Sequence, residues 1–203
     1  MKTGCVLVLA LAVECCAAGV AQIKLPFYPQ QKNGCGAASV AMVMHYWENQ
    51  RPGARTAAAS PLEVYQSLYS PERKGIQLRD MKRYLEQNGF RAFTLRGEWN
   101  DLEEHLARRR PIIVGLKSGR NKPLHFVVVT GLDSGFVWLN DPTRKQPGRL
   151  ERAKFEKRWA LADRWMLLAA PGLRRNTPLP AQIERDSRGN DRQSEQGLAG
   201  RFE

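Results

Sequence analysis

The spacing of apolar residues along the chain changes near its middle, from the period of helices to the period of strands. Residues 35–47 are apolar on nearly every side, which predicts a helix buried inside a domain. Three shorter helices are predicted to follow: one over 61–70 behind a capping box, one from Leu78 that Gly89 ends, and one over 100–109.

The second half of the chain is predicted to form strands. Apolar runs over 111–117 and 124–131 have the length and composition of strands. A turn at 133–135 returns the chain into a third strand over 136–139, and 164–169 is predicted to form the last one. Helices first and an antiparallel sheet second is the order of an α+β domain. The pattern therefore predicts an α+β fold in which the buried N-terminal helix packs on an antiparallel sheet.

The first residues of the chain are predicted to direct export. Residues 1–21 have the three parts of a secretory signal: a positive start, an apolar run too short to span a bilayer, and small residues up to Ala21. Cys15 and Cys16 offer a lipid-anchoring alternative, which Glu14 disfavours because lipoprotein sites carry small uncharged residues before the cysteine. We therefore expect residues 1–21 to be removed as a signal peptide and the protein to be periplasmic or secreted.

The rest of the chain divides into a domain and a basic tail. Residues 22–171 have the mixed composition of one globular domain and contain no predicted transmembrane segment. Residues 172–203 are rich in Arg, Asn, Gln, Ser, Gly and Pro and are predicted to be disordered. The net charge is +12, but the basic residues are scattered and only 108–110 forms a tight cluster. This distribution argues against specific nucleic-acid binding and favours contact of the tail with an anionic surface.

The candidate chemistry centres on Cys35, the one cysteine that remains once residues 1–21 are removed. In an oxidising compartment this thiol has no disulfide partner, so we expect it to be a nucleophile. The start of a helix favours the thiolate form, because unpaired backbone N–H groups and the helix dipole stabilise an anion there. Gly34 and Gly36 would leave room for a substrate carbonyl to approach the sulfur.

Residues that would complete a thiol hydrolase follow in order along the chain. His125 opens a predicted strand and would pair with the thiolate, then protonate the leaving amine. Asp141 follows the next strand and would orient the imidazole, while a glutamine upstream of Cys35 would hold the oxyanion with the Cys35 N–H. No metal or other cofactor is predicted, because the 3 histidines and Cys35 show no ligand spacing.

Three separated blocks of the sequence resemble the bacteriocin-processing cysteine peptidases. These are papain-like enzymes that remove leader peptides at double-glycine sites. The resemblance extends over 23–170, including an aromatic pair, Phe155 and Trp159, before the last strand. The matching blocks are Leu-Pro-Phe-Tyr-Pro-Gln with Cys-Gly-Ala-Ala-Ser-Val-Ala-Met, Arg-Pro-Ile-Ile-Val with His-Phe-Val-Val-Val, and Val-Trp-Leu-Asn-Asp-Pro.

The resemblance implies a papain-like fold and a role for each candidate residue. Cys35 is then the nucleophile, His125 the general base and acid, and Asp141 the orienting carboxylate. Gln30 is the oxyanion glutamine, with Gln31 as the fallback. No membrane or ATP-binding segment is present and Gly34 stands where transporter-borne members carry aspartate, so the chain resembles the free-standing, exported branch.

Several alternatives stay open at the level of the sequence. An acyltransferase or another amide hydrolase would use the same triad, and a basic binding module would not catalyse at all. Asn140 would replace Asp141 as the orienting group if Asp141 only shaped a turn. His45 is predicted to be a core residue and His105 to lie on a solvated helix face, so neither replaces His125.

Overall fold

The computed structural model of the protein describes residues 22–50 and 60–172. The predicted signal peptide and the predicted tail beyond residue 172 lie outside these residues. Within the described part, no helix is long and apolar enough to cross a membrane. The helices are α1 (Cys35–Gln50), α2 (Pro61–Leu68), α3 (Leu78–Gln87), α4 (Trp99–Ala107) and α5 (Arg152–Ala160). The strands are β1 (Phe90–Arg96), β2 (Ile112–Leu116), β3 (His125–Leu132), β4 (Phe136–Asn140), β5 (Gly148–Glu151) and β6 (Trp165–Pro171).

These strands form one antiparallel sheet with helices on both faces. Their order across the sheet is β1-β6-β2-β3-β4-β5, and every neighbouring pair is antiparallel. Helices α1, α2 and α3 cover one face, whereas α4 and α5 cover the other. The predicted α+β fold, with a buried N-terminal helix packed on an antiparallel sheet, is confirmed.

Side chains of the central strands alternate between two hydrophobic cores. On β3, Phe126 and Val128 pack beneath α1, while Val127 and Val129 pack against α4 and α5. All four side chains are buried. Because both faces of the sheet are covered, β2 and β3 are apolar at almost every position rather than at alternate positions. The continuous apolar runs of the sequence have this physical origin.

Helix α1 is fixed at its far end by two aromatic side chains. The Tyr46 hydroxyl donates a hydrogen bond to the Arg109 carbonyl at 2.7 Å, and the Trp47 indole N–H donates to the Ala169 carbonyl at 2.8 Å. The rest of the helix is buried nearly all round, from Gly36 to Met44. A helix held in this way keeps its first residue at a constant position relative to the sheet.

The predicted helices and strands of the described residues are present, with ends shifted by a few residues. The capping box of Ser60 and Glu63 forms as expected, with both reciprocal hydrogen bonds. The helix predicted from residue 100 begins one residue earlier, because Glu98 and Asp101 cap it instead. Strands β1 and β5 and helix α5 were not predicted.

Two-sided burial of β3 has a measurable consequence for stability. Val127→Ala and Val128→Ala should each lower the free energy of unfolding by about 2 kcal/mol, because each removes two methyl groups from a fully buried site. Urea denaturation monitored by circular dichroism measures both losses. The exposed Thr94→Ala on β1 serves as the control and should change the free energy by less than about 0.5 kcal/mol. A neutral result at either valine would mean that one sheet face is not packed.

Candidate active site

Cys35 is the first residue of α1 and is a free, half-buried thiol. A tight loop leads into it: the Gly34 N–H donates to the Gln31 carbonyl at 2.9 Å, and Asn33 adopts a left-handed conformation with φ of 55°. The Tyr65 hydroxyl from α2 donates to the Lys32 carbonyl at 3.0 Å and holds the loop from outside. The helix start and the loop together fix the position of the sulfur.

The glycines on either side of Cys35 make room for protein side chains, not for substrate. A Cβ at Gly34 would lie 2.7 Å from Cδ2 of Tyr65, and a Cβ at Gly36 would lie 3.0 Å from Ile76 Cγ2 and Met81 Sδ. The predicted role of these glycines in substrate approach is therefore wrong. The same contact explains why this chain has glycine at position 34, where transporter-borne members of the family that it resembles carry aspartate. An aspartate side chain there would collide with the Tyr65 ring.

Strand β3 brings its first two residues to Cys35. The backbone N–H of Phe126 donates to Cys35 Sγ at 3.5 Å. His125 precedes it, and its Nε2 lies 2.8 Å from Oδ1 of Asp141, the residue that follows β4. Because Nε2 is engaged by the carboxylate, Nδ1 is the ring nitrogen left for the thiol. The structure thus brings the three predicted residues together from α1, β3 and the end of β4.

Asp141 is held by more than its contact with the histidine. The backbone N–H and the hydroxyl of Thr143 both donate to Oδ1, at 3.0 Å and 2.7 Å. The Arg144 guanidinium lies 3.7 Å from the second oxygen, Oδ2. These contacts fix the carboxylate in a turn and satisfy it, so Asp141 shapes the turn and engages the imidazole at the same time.

Both titrating groups of this pair are shifted toward their charged forms. Burial alone would lower the pKa of His125, but hydrogen bonds to Asp141 and Cys35, with the electrostatic attraction of both, raise it to about 9. Burial alone would raise the pKa of Asp141, but hydrogen bonds from His125 and Thr143, with the charge of His125, lower it to about 2. Between these two values the site holds an imidazolium beside a carboxylate.

The alternative residues are placed elsewhere. The buried Asn140 directs its amide toward the Pro26 carbonyl, 3.4 Å away, and the Met42 sulfur, 3.6 Å away, rather than toward His125. His45 forms a 2.6 Å hydrogen bond with the Tyr28 hydroxyl, as expected of a core residue. His105 is half-buried on α4, so its predicted exposure on a solvated face is wrong.

The structure separates the two candidate oxyanion glutamines. Gln30 lines the same cleft as Cys35 and His125, and its backbone N–H donates to the Pro142 carbonyl at 3.0 Å. Its Oε1 atom is buried and has no hydrogen-bond partner among the described residues, and the side-chain NH₂ is the donor end of this amide. That amide group remains available to an oxygen in the cleft. Gln31 is exposed and does not line the cleft.

The cleft has a volume of about 560 Å³. Gln30, Cys35 and His125 line the cleft, whereas Asp141, which contacts His125, does not. One wall is formed by 73–78, just before and at the start of α3, and the other by 123–126. A cleft of this size, with a thiol, an imidazole and an amide converging on it, has the arrangement of an acyl-transfer site.

Two contributors to the site were missed by sequence reasoning. The Phe126 N–H reaches the sulfur only because β3 and α1 pack closely, and no local pattern signals that contact. Thr143, two residues after Asp141, donates two hydrogen bonds to the Asp141 carboxylate. An Asp followed two residues later by Thr is a recognised turn pattern, so this contact was visible in the sequence.

Comparison with known proteins gives a consistent result. The profile of the Peptidase_C39-like family matches residues 22–165. A chain from Bacillus anthracis described as a C39-like peptidase is 16% identical, covering 75% of this chain and 97% of its own, with a TM-score of 0.57. No curated protein matches the sequence.

Two transporter peptidase domains share the fold at similarly low identity. A double glycine motif protease from an AMS/PCAT transporter, solved with a leader peptide, is 23% identical over 75% of this chain and 97% of its own, with a TM-score of 0.55. The peptidase domain of Streptococcus ComA, a bi-functional ABC transporter involved in quorum sensing, is 20% identical over 73% and 98%, with a TM-score of 0.56.

The pKa shifts predict how the charged pair contributes to stability as pH changes. The contribution of His125 is complete below its ordinary pKa of 6.5 and is lost as pH rises toward about 9. The contribution of Asp141 is complete above its ordinary pKa of 3.8 and is lost as pH falls toward about 2. The free-energy difference between the wild type and His125→Gln should therefore be largest between pH 3.8 and 6.5, the ordinary pKa values of Asp141 and His125.

Urea denaturation at a series of pH values measures this difference. Lys154→Gln, an exposed change on α5, is the control and should give a difference that does not vary over the same range. A His125→Gln difference that stays constant from pH 6.5 to 9 would contradict the raised pKa.

Proposed function

The chain belongs to the Peptidase_C39-like family of cysteine peptidases, and on that premise we propose that Cys35, His125 and Asp141 are its catalytic triad. Gln30 and the backbone N–H of Cys35 form the oxyanion hole. The observation that carries the proposal is the 2.8 Å contact between His125 Nε2 and Asp141 Oδ1, made beside the Cys35 sulfur in a cleft that Gln30 also lines.

In the first half of the reaction the Cys35 sulfur attacks the scissile carbonyl carbon. The carbonyl oxygen becomes an oxyanion, which accepts hydrogen bonds from the Gln30 Nε2 and the Cys35 N–H. As the C–N bond breaks, the His125 imidazolium gives its Nδ1 proton to the departing amine. The products of this half are a free amine and a thioester on Cys35.

In the second half a water molecule resolves the thioester. Neutral His125 takes a proton from the water through Nδ1 while the oxygen attacks the thioester carbon. Collapse of the second tetrahedral species breaks the C–S bond, and the carboxylic acid leaves. Asp141 stays ionised throughout and holds Nε2, which keeps Nδ1 facing the sulfur and stabilises each imidazolium that forms.

The proposed substrate is a peptide cut after two glycines, such as the leader segment of an exported peptide. Support comes from the family and from the double glycine motif protease that shares the fold and was solved with a leader peptide. A Gly-Gly sequence has no side chains, so its backbone would approach the sulfur in the cleft without steric hindrance from side chains of its own.

We further propose that the enzyme acts outside the cytoplasm. The composition of residues 1–21 supports this, and the family match begins at residue 22, directly after the expected cleavage site. Residues 172–203 contain six arginines against five acidic residues, so the positive charge that would draw the enzyme to an anionic surface lies almost entirely in residues 22–171 and not in the predicted tail.

The test compares two adjacent glutamines. Gln30→Ala should lower kcat by about 100-fold with little change in KM, because it removes a donor that acts on the oxyanion. Gln31→Ala, the matched control, should cleave at the wild-type rate, and Cys35→Ala should not cleave. The assay follows a synthetic double-glycine leader peptide by mass spectrometry, with the second glycine replaced by valine as the substrate control.

Each contrary outcome has a definite meaning. Cleavage that persists in Cys35→Ala would refute the triad. A lower kcat in Gln31→Ala, with a normal kcat in Gln30→Ala, would assign the oxyanion-hole donor to Gln31 instead. Formation of an amide with an added amine in preference to the acid would identify an acyltransferase. Failure to cut any peptide, with the thiol intact, would leave the binding-module alternative.

A further inference from the structure

One wall of the cleft carries positive charge, and we propose that it selects peptides with acidic side chains close to the scissile bond. The proposal rests on the proposed function, because it concerns the same cleft. The positive charge of this wall lies on the turn at Ser70–Gly75, which we call the cationic turn; its residues Arg73, Lys74 and Gly75 line the cleft.

The cationic turn is a built structure rather than a loose loop. Ser70 and Gly75 exchange backbone hydrogen bonds of 3.0 Å and 3.3 Å, which close the turn. Inside it the Arg73 N–H donates to the Ser70 hydroxyl at 3.3 Å, and the Lys74 N–H donates to the Pro71 carbonyl at 3.3 Å. The next residue, Ile76, is buried in the core and anchors the turn beside the cleft.

Lys74 occupies a position that its backbone conformation makes unfavourable. Its φ of 51° lies in the left-handed region, where glycine or asparagine is the usual residue. A lysine there has a conformational cost that glycine would avoid. The closed turn holds Lys74 in this conformation in the cleft lining, and glycine would keep the same backbone without strain.

The charges around the cleft are unbalanced. Arg73 and Lys74 are exposed cations in the lining, and the lining contains no carboxylate. Among the described residues neither cation forms an ion pair; the Arg73 guanidinium donates to the Gln77 amide oxygen, at 3.3 Å. Lys32 and Lys122 lie next in sequence to lining residues and add exposed positive charge at the rim. Glu72, on the same turn, is exposed and does not line the cleft.

An extended peptide in the cleft would therefore meet cations on one side and apolar groups beneath. Ile76, Leu124 and Phe126 supply that apolar surface. Glutamate or aspartate within a few residues of the scissile bond would pair with Arg73 and Lys74, whereas lysine or arginine there would be repelled. Exposed pairs of this kind are individually weak, so the preference should be moderate and sensitive to salt.

The test measures binding separately from catalysis. The probes are two rhodamine-labelled decapeptides with a central Gly-Gly flanked on each side by two alanines and two glutamates, or by two alanines and two glutamines. Fluorescence anisotropy with the Cys35→Ala protein gives affinity without cleavage. We expect the glutamate probe to bind about tenfold more tightly at low salt, with the ratio falling as salt is added.

Three variants locate the effect. In the Cys35→Ala background, Arg73→Glu with Lys74→Glu should remove or reverse the preference. Lys74→Gly should reduce it while keeping the fold, because glycine adopts a φ of 51° without strain. Lys154→Glu with Lys157→Glu, on α5 across the sheet, changes the net charge equally and should leave the preference intact.

The outcomes separate this proposal from the proposed function. Equal binding of both probes, or a preference that the α5 control also removes, would overturn the acidic specificity even if Cys35 cleaves peptides. A preference confined to the cationic turn would support the specificity even if no peptide were cleaved. Equally tight binding of a free polyanion such as polyphosphate, in place of the glutamate probe, would also overturn it, because the turn would then recognise charge without a peptide.

Discussion

The contact between His125 and Asp141 depends on a constraint that the whole sheet imposes. β3 pairs with β4 in antiparallel fashion, so the residue that opens β3 and the residue that follows β4 come to the same end of the two strands. Helix α1 packs on β3 and brings its first residue, Cys35, to that end of the strands as well. The three residues lie far apart in sequence, and one strand pairing and one helix packing bring them together.

The charged pair of His125 and Asp141 is half-buried, and its stability depends on how completely its polar atoms are hydrogen-bonded. An isolated buried carboxylate would be strongly unfavourable. Asp141 avoids that cost because Thr143 donates twice to it and Arg144 lies nearby, while His125 supplies the opposite charge. The same contacts that satisfy the carboxylate hold the imidazole in one orientation, so the stabilising network and the proposed catalytic geometry are one set of interactions.

The sequence predicted the fold class, the buried helix and the peptidase family correctly, because each leaves a strong local pattern. The all-round apolar helix and the continuous runs of β2 and β3 report burial directly. The edge strand β1 left no such pattern, because only its Phe90 and Ala92 are buried. Helix α5 left none either, because Phe155 and Trp159 are its only large apolar residues and most of its other residues are charged. The packing role of Gly34 depends on Tyr65 in a distant helix, which no spacing reveals. The choice between Gln30 and Gln31 likewise depended on which side chain faces the cleft.

The most direct test of the central claim is the rate at which Cys35 is alkylated by iodoacetamide as a function of pH. An imidazolium held by Asp141 would place a positive charge beside the sulfur, so the account predicts that the wild-type protein reacts faster than His125→Ala at pH values below the raised pKa of about 9, where His125 stays charged. In His125→Ala the rate at pH 6 should fall at least tenfold, because the counter-charge is gone. A rate that rises only near pH 8.5, as for an ordinary thiol, in both proteins would contradict the account.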